Sequence, residues 1–251
     1  MDSSAIAKAT EVLLAARRSG ELADRFPILS RPTTAEEANS IQEAVAAALG
    51  ETIAGWKVAR LPDFGLLRGI ILQSRVFQSG AVVSAAHAPA MGVEAEIAFR
   101  FDRAMSPREA EYSRKDVEDC VSAFVAIEIV DSRFKEAHKL PVIERAADCM
   151  SNGGFVVGTM RHDWRNFDLS MLAASLLING KPVVDRQIGG HVTKDPLILA
   201  ITLANTLRAT TGIAAGKVVT TGTFTGIQYA ATGDRVQAAF DGFGDAVVSF
   251  V

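Results

Sequence analysis

The stretch Val93-Glu94-Ala95-Glu96-Ile97-Ala98-Phe99 sets two acids two positions apart in an apolar run. In a strand, the side-chain period of two turns both carboxylates to the same face, and paired acids on one face want a cation. A second stretch, Phe124-Val125-Ala126-Ile127-Glu128-Ile129-Val130, places one Glu among six apolar residues. A lone ionised carboxylate buried there is costly, so it stays protonated, reaches solvent or meets a positive group. Glu94, Glu96 and Glu128, with no His or Cys alongside, make an all-oxygen ligand set that suits Mg²⁺ or Mn²⁺ better than zinc or copper. Magnesium held by so few protein ligands keeps waters that a bidentate substrate can displace. In the competing reading Glu94 and Glu96 lie on a solvated sheet face and Glu128 pairs with a core arginine; spacing alone leaves both open.

Three further segments carry chemical groups. In Gly55-Trp56-Lys57-Val58-Ala59 a lysine interrupts an apolar strand. Burial would lower its pKa and suit it to proton transfer or to gripping a carboxylate, unless its long stem carries the amine to the surface. Asp148 precedes the loop Cys149-Met150-Ser151-Asn152-Gly153-Gly154, where the glycines permit a tight turn. Gly216 to Gly226 ends a strand in a loop rich in Thr and Gly, able to present N–H and O–H donors to a carboxylate. It lacks the glycine-lysine order of a phosphate-binding P-loop. The four histidines, His87, His138, His162 and His191, are scattered, and no G-x-S-x-G elbow offers a nucleophile, so Ser-His covalent catalysis is not expected.

These residues must be held by a strand-rich body. Residues 3–19 and 34–49 have near-helical apolar spacing, with Thr34 and Glu37 forming a capping box and Gly50 a stop. From Thr52 the texture changes to short Val- and Ile-rich runs broken by Gly, Pro, Asp and Ser. Strands are expected at 53–58, 93–101, 123–130, 153–158, 175–179, 217–220, 234–239 and 246–251, with helices at 114–121, 168–173 and 195–210. Strands interrupted by so few helices argue for an antiparallel or mixed β core, not a doubly wound parallel sheet. A helical region (1–51) and a β-rich region carrying the chemistry (52–251) are expected to form one unit.

Composition narrows the partners. The chain is 49% hydrophobic and 22% charged with a net charge of −3, which is ordinary for a globular protein. Lys and Arg do not cluster beyond pairs such as Arg17-Arg18, so nucleic acid is not an expected partner. Cys120 and Cys149, the only cysteines, lack the spacing of a disulfide framework or zinc site. No apolar run approaches the ~20 residues that span a bilayer, and the first residues lack the order of a signal peptide. A cytoplasmic protein with no membrane partner is expected.

Taken in order, "GVEAEIAFRF", "AIEIVDSRF", "GGFVVG", "GKVVTTGTFTG" followed by "GDRV", and "GFGDAVVSF" resemble the fumarylacetoacetate hydrolase superfamily, within it the 2-keto-4-pentenoate hydratase and 4-oxalocrotonate decarboxylase branch. The paired helices before Thr52 fit that branch too. The resemblance implies an α+β fold, a mixed β roll or distorted barrel with flanking helices. It implies Glu94, Glu96 and Glu128 as metal ligands, with Glu rather than Asp as the third acid favouring hydratase or decarboxylase chemistry over hydrolysis. By the same resemblance Lys57 is the active-site lysine, Asp148 positions it or a water, and Thr221 and Thr223 contact the substrate carboxylate. Cys149 and Met150 stand where small or polar residues are expected. The implied protein is a homo-oligomeric, metal-dependent lyase acting on small 2-oxo or 2-hydroxydienoic acids, as in aromatic catabolism, with hydration first and decarboxylation second. An acylpyruvate C–C hydrolase and a metal-binding relative without catalysis are the remaining alternatives.

Overall fold

The computed structural model describes residues 1–251. Two helices, α1 (Ser3–Ser19) and α2 (Ala35–Leu49), precede strands β1 (Ile53–Leu61), β2 (Gly65–Leu72), β3 (Val76–Gln78), β4 (Ala81–Val83) and β5 (Gly92–Phe101). There follow α3 (Arg114–Glu118), β6 (Val121–Val130), α4 (Val142–Ala147), β7 (Asn152–Arg161), β8 (Ala173–Ile178) and β9 (Lys181–Ile188). The chain ends with α5 (Leu197–Leu207), β10 (Val218–Thr223), β11 (Gln228–Tyr229), β12 (Arg235–Phe240) and β13 (Gly244–Phe250).

The strands form two mixed sheets. One runs β2-β1-β10-β5-β6-β7-β3, with β11 added to β5; the other runs β4-β13-β12-β8-β9. The first sheet curls into a half-barrel, giving the α+β architecture expected above. Period-two alternation explains how β5 serves two layers. Val93, Ala95, Ile97 and Phe99 enter the main core with Val236, Ala238, Val248 and Phe250 of the second sheet. The alternate face of the curled sheet carries a smaller cluster of Ala98, Phe124, Ala126, Phe155, Ile71 and Val218. Because both faces of β6 are covered, its residues are buried from Val121 to Ile129, which is why its sequence is apolar throughout save Ser122 and Glu128.

The helices pack as a third layer. Leu13 of α1, Ile41 and Val45 of α2 and Ala146 of α4 bury against Leu67 of β2, with Phe26 and Phe134 in edge contact at 4.9 Å. Thr34 caps α2 by accepting from the Glu37 N–H at 3.2 Å, and Gly50 closes it at φ 66°. The return half of the expected capping box is displaced by one residue, since Glu37 accepts from the Thr33 N–H at 2.7 Å and not from Thr34. The expected helix at 168–173 is only a 3₁₀ turn at Leu169–Met171, and the one expected at 114–121 stops at Glu118, ahead of β6 at Val121. No helix is long and apolar enough to cross a membrane.

Candidate active site

Strands β5 and β6 are antiparallel, and their register puts Glu94 directly opposite Glu128, with Glu96 opposite Ala126 on the same face. Oxygens of all three carboxylates lie within 4.8 Å of one another. Glu128 is fully buried, Glu96 is 1% exposed and Glu94 is half-buried. Burial, followed by the Glu128 charge, pushes Glu94 up to about 7; burial together with Glu128 and Glu94 pushes Glu96 up to about 8. The cluster carries more negative charge than its surroundings balance. Glu128 Oε1 accepts from Lys57 Nζ at 2.6 Å and from Asn152 Nδ2 at 3.0 Å, while its Oε2 is buried with no partner. An orphaned carboxylate oxygen beside two further carboxylates fits a hard divalent cation.

Lys57 reaches the cluster from β1, where it lies between Gly69 of β2 and Thr220 of β10. Its side chain is 14% exposed. The lowered pKa expected from sequence does not hold. Burial does act downward, but the charges of Glu128, Glu94 and Glu96 outweigh it and leave the amine above its ordinary value. Gly69 makes the approach possible, because a Cβ there would lie 2.9 Å from Lys57 Cγ and 2.3 Å from the Cys149 carbonyl oxygen.

The two threonines expected to bind substrate part company. Thr221 is buried with its hydroxyl 3.4 Å from the Ile97 carbonyl and 3.5 Å from His191 Nε2, on the core side of β10. His191 is itself held by burial at about 4. A register irregularity between Thr220 and Thr223 returns Thr223 to the acids, where it pairs with Glu96 and its hydroxyl lowers the proton affinity of Glu94. Thr220, which the sequence reading did not single out, donates to Glu96 Oε2, and the Gly222 N–H lies 3.4 Å from the same oxygen.

Asp148 also has a different occupation from the one expected. It is fully buried, and Oδ2 accepts from Ser132 Oγ at 2.8 Å and the Arg133 N–H at 2.9 Å, while Oδ1 accepts from Arg133 Nε at 2.5 Å. With its oxygens committed it has no hydrogen bond to Lys57, and it acts on the site through others. Arg133 Nη1 donates to the Asn152 carbonyl at 2.9 Å, and the Asn152 side chain holds Glu128. Cys149, Met150 and Ser151 are left-handed at φ 52°, 52° and 61°, an uncommon conformation for non-glycine residues. The Asp148 and Asp131 backbones anchor that turn through Ser151, with bonds of 2.9 and 2.8 Å.

Fold and site together define a curled-sheet α+β enzyme with an acidic, lysine-flanked centre. The family description "Fumarylacetoacetate (FAA) hydrolase C-terminal" matches residues 70–251, and the chain belongs to that family. It is 31% identical to a 2-hydroxyhexa-2,4-dienoate hydratase of Comamonas testosteroni, over 96% of this chain and 94% of that protein. A 2-keto-4-pentenoate hydratase of Dechloromonas aromatica is 30% identical over 75% of this chain and 70% of that one. Among solved structures, a 4-oxalocrotonate decarboxylase of Pseudomonas putida G7, complexed with magnesium and adipate, superposes with a TM-score of 0.86 at 22% identity, covering 100% of this chain and 99% of that one.

Proposed function

We propose that this chain is a divalent-cation-dependent hydratase of 2-hydroxy-2,4-dienoates, with Glu94, Glu96 and Glu128 holding Mg²⁺ or Mn²⁺. The observation that carries this reading is the convergence of three carboxylates on one point, one of them with an orphaned oxygen and a lysine on the other. A bound cation supplies Lewis acidity toward the carboxylate and 2-oxygen of a 2-oxo acid. Lys57 grips the substrate carboxylate or moves a proton at the reacting carbons. Thr223 orients Glu94, Thr220 and the Gly222 N–H orient Glu96, and Asn152 orients Glu128. Asp148 and Arg133 are positioning residues behind Asn152.

We assign the rest of a small acid to a cavity of about 570 Å³ that Val130, two residues beyond Glu128 on the same face, borders together with Ser151 and Ile227; the three acids themselves do not line it. Residues 52–251 carry the chemistry and 1–51 cover it. The relatedness to two hydratases supports hydration over decarboxylation or C–C hydrolysis. A cytoplasmic homo-oligomer completes the reading; Ile28 and Leu29, 76% and 87% exposed, offer apolar surface of the kind subunit contacts bury.

The test is product analysis by mass spectrometry with Mg²⁺ and with chelator. A 4-hydroxy-2-oxo acid retaining every carbon is expected from a dienol substrate. CO₂ release from a 2-oxo diacid or cleavage of an acylpyruvate would reassign the reaction, and turnover of nothing would leave a metal-binding relative.

A further inference from the structure

A second charged constellation lies where the end of α1 meets the segments on either side of β3 and β4. A cavity of about 50 Å³ is lined by Arg17, Arg75 and Arg133 with a single acid, Asp131, and by Gly20 and Gly153. The three guanidinium groups are not equivalent. Arg133 is committed to Asp148 and to the carbonyls of Asn152 and Asp148. Arg75 donates to the His87 carbonyl at 3.0 Å, and Arg17 reaches only Cys149 Sγ at 3.9 Å, with its Nε buried and unpartnered. Neither is paired with a carboxylate. Asp131 Oδ1 is taken by the Ala90 N–H at 3.0 Å, and its Oδ2 lies 3.9 Å from Arg133 Nη1. Once Arg133 and Asp148 are set against each other, two cations share one acid.

Burial lowers the proton affinity of both Arg17 and Arg75, and the neighbouring Arg133 lowers it further. Such a place gains from an anion that presents two oxygens to a guanidinium fork. A water needs roughly 10–15 Å³ of such space, so the cavity takes about three to five atoms of that size and no nucleotide.

We propose that Arg17 and Arg75 form a binding site for a small oxyanion, a phosphate or a carboxylate group, at the junction of α1 with the β-rich body. The anion bridges the last turn of α1 to the turn holding Arg75, beside the Arg133–Asn152 link to Glu128.

The test is a thermal-melting titration of the full chain with inorganic phosphate and, in parallel, with acetate, each against potassium chloride at equal ionic strength. A saturable rise of a few degrees in Tm over chloride is expected for one or both oxyanions, and which one responds separates phosphate from carboxylate. Arg17→Met and Arg75→Met each weaken the apparent affinity at least tenfold, whereas the exposed neighbour Arg18→Met leaves it unchanged. If Arg17→Met fails to fold, Arg75→Met decides. An equal response to chloride, or an unchanged response in the Arg75→Met protein, overturns the proposal.

Discussion

The acidic centre and the Asp148–Arg133 pair are both buried, and Asn152 joins them, yet they are balanced in opposite ways. Around Asp148 both carboxylate oxygens accept from Arg133 or Ser132. At the centre three acids face one lysine, and Glu128 keeps an oxygen with no donor. A satisfied buried pair rigidifies a fold; an unsatisfied one marks where a ligand belongs. On this comparison, losing an acid at the centre removes function, and losing Asp148 removes structure.

The largest expected effects are on turnover. Glu128→Gln removes a proposed cation ligand and the ion-pair partner of Lys57, and a loss of about 10³-fold in kcat/KM is expected, equivalent to several kcal/mol of transition-state stabilisation. Lys57→Met is expected to lower kcat by about 10²–10⁴-fold while cation affinity, read by calorimetric titration, stays near wild type. If Lys57→Met turns over normally, the lysine is no part of the chemistry.

Asp148→Asn should behave differently. It leaves the buried Arg133 guanidinium with only Asp131, at 3.9 Å, as a carboxylate neighbour, and a loss of about 3–5 kcal/mol in urea unfolding is expected. Cation affinity of the folded fraction should change far less than in Glu128→Gln. Comparable losses of affinity in both variants would erase the distinction between the two regions.

A pH effect follows from the raised carboxyls. Glu94 and Glu96, at about 7 and about 8 against an ordinary 4.5, hold protons in the folded chain that the unfolded chain has already released. Metal-free stability is therefore expected to fall as pH rises from 4.5 to 8, with the folded state binding more protons throughout that window. Added Mg²⁺ should stabilise more at pH 8 than at pH 6, because the ligands must shed those protons to bind it. Melting curves at the two pH values, with and without Mg²⁺, check the sign. Glu96→Gln should flatten the metal-free decline.

The smallest effect concerns Thr221. Thr221→Val keeps the shape and removes a hydroxyl with only long contacts, so a stability change below about 1.5 kcal/mol and an unchanged KM are expected. A large rise in KM would restore the substrate role given it from sequence.

How far the sequence could be read follows from the same physics. β5 and β6 stand out because acids interrupt otherwise apolar runs, and those acids are the ones the fold brings together. β2 is not visible in the sequence because Arg68 and Gly69 break its apolar run, though Gly69 is what lets Lys57 and the Cys149 turn meet. β9 carries no sequence signal because almost every residue in it is exposed on both faces, leaving no alternation. With consecutive threonines, sequence cannot say which faces the acids. The phase of β10 is set by pairing and shifted by an irregularity, so Thr220 and Thr223 join the site and Thr221 does not. Asp148 reads from its own neighbours only as the start of a turn and gains a role only by the family resemblance, because its partner Arg133 lies on another loop and only the fold joins them.

One cation shared by Glu94, Glu96 and Glu128 is tested most directly in crystals soaked in Mn²⁺, through anomalous scattering. The predicted result is a single strong anomalous peak in contact with an oxygen of each carboxylate, lost in crystals of the Glu96→Gln protein. A map with no peak among the three acids, or with Mn²⁺ bound elsewhere and Glu128 still held only by Lys57 and Asn152, would contradict it.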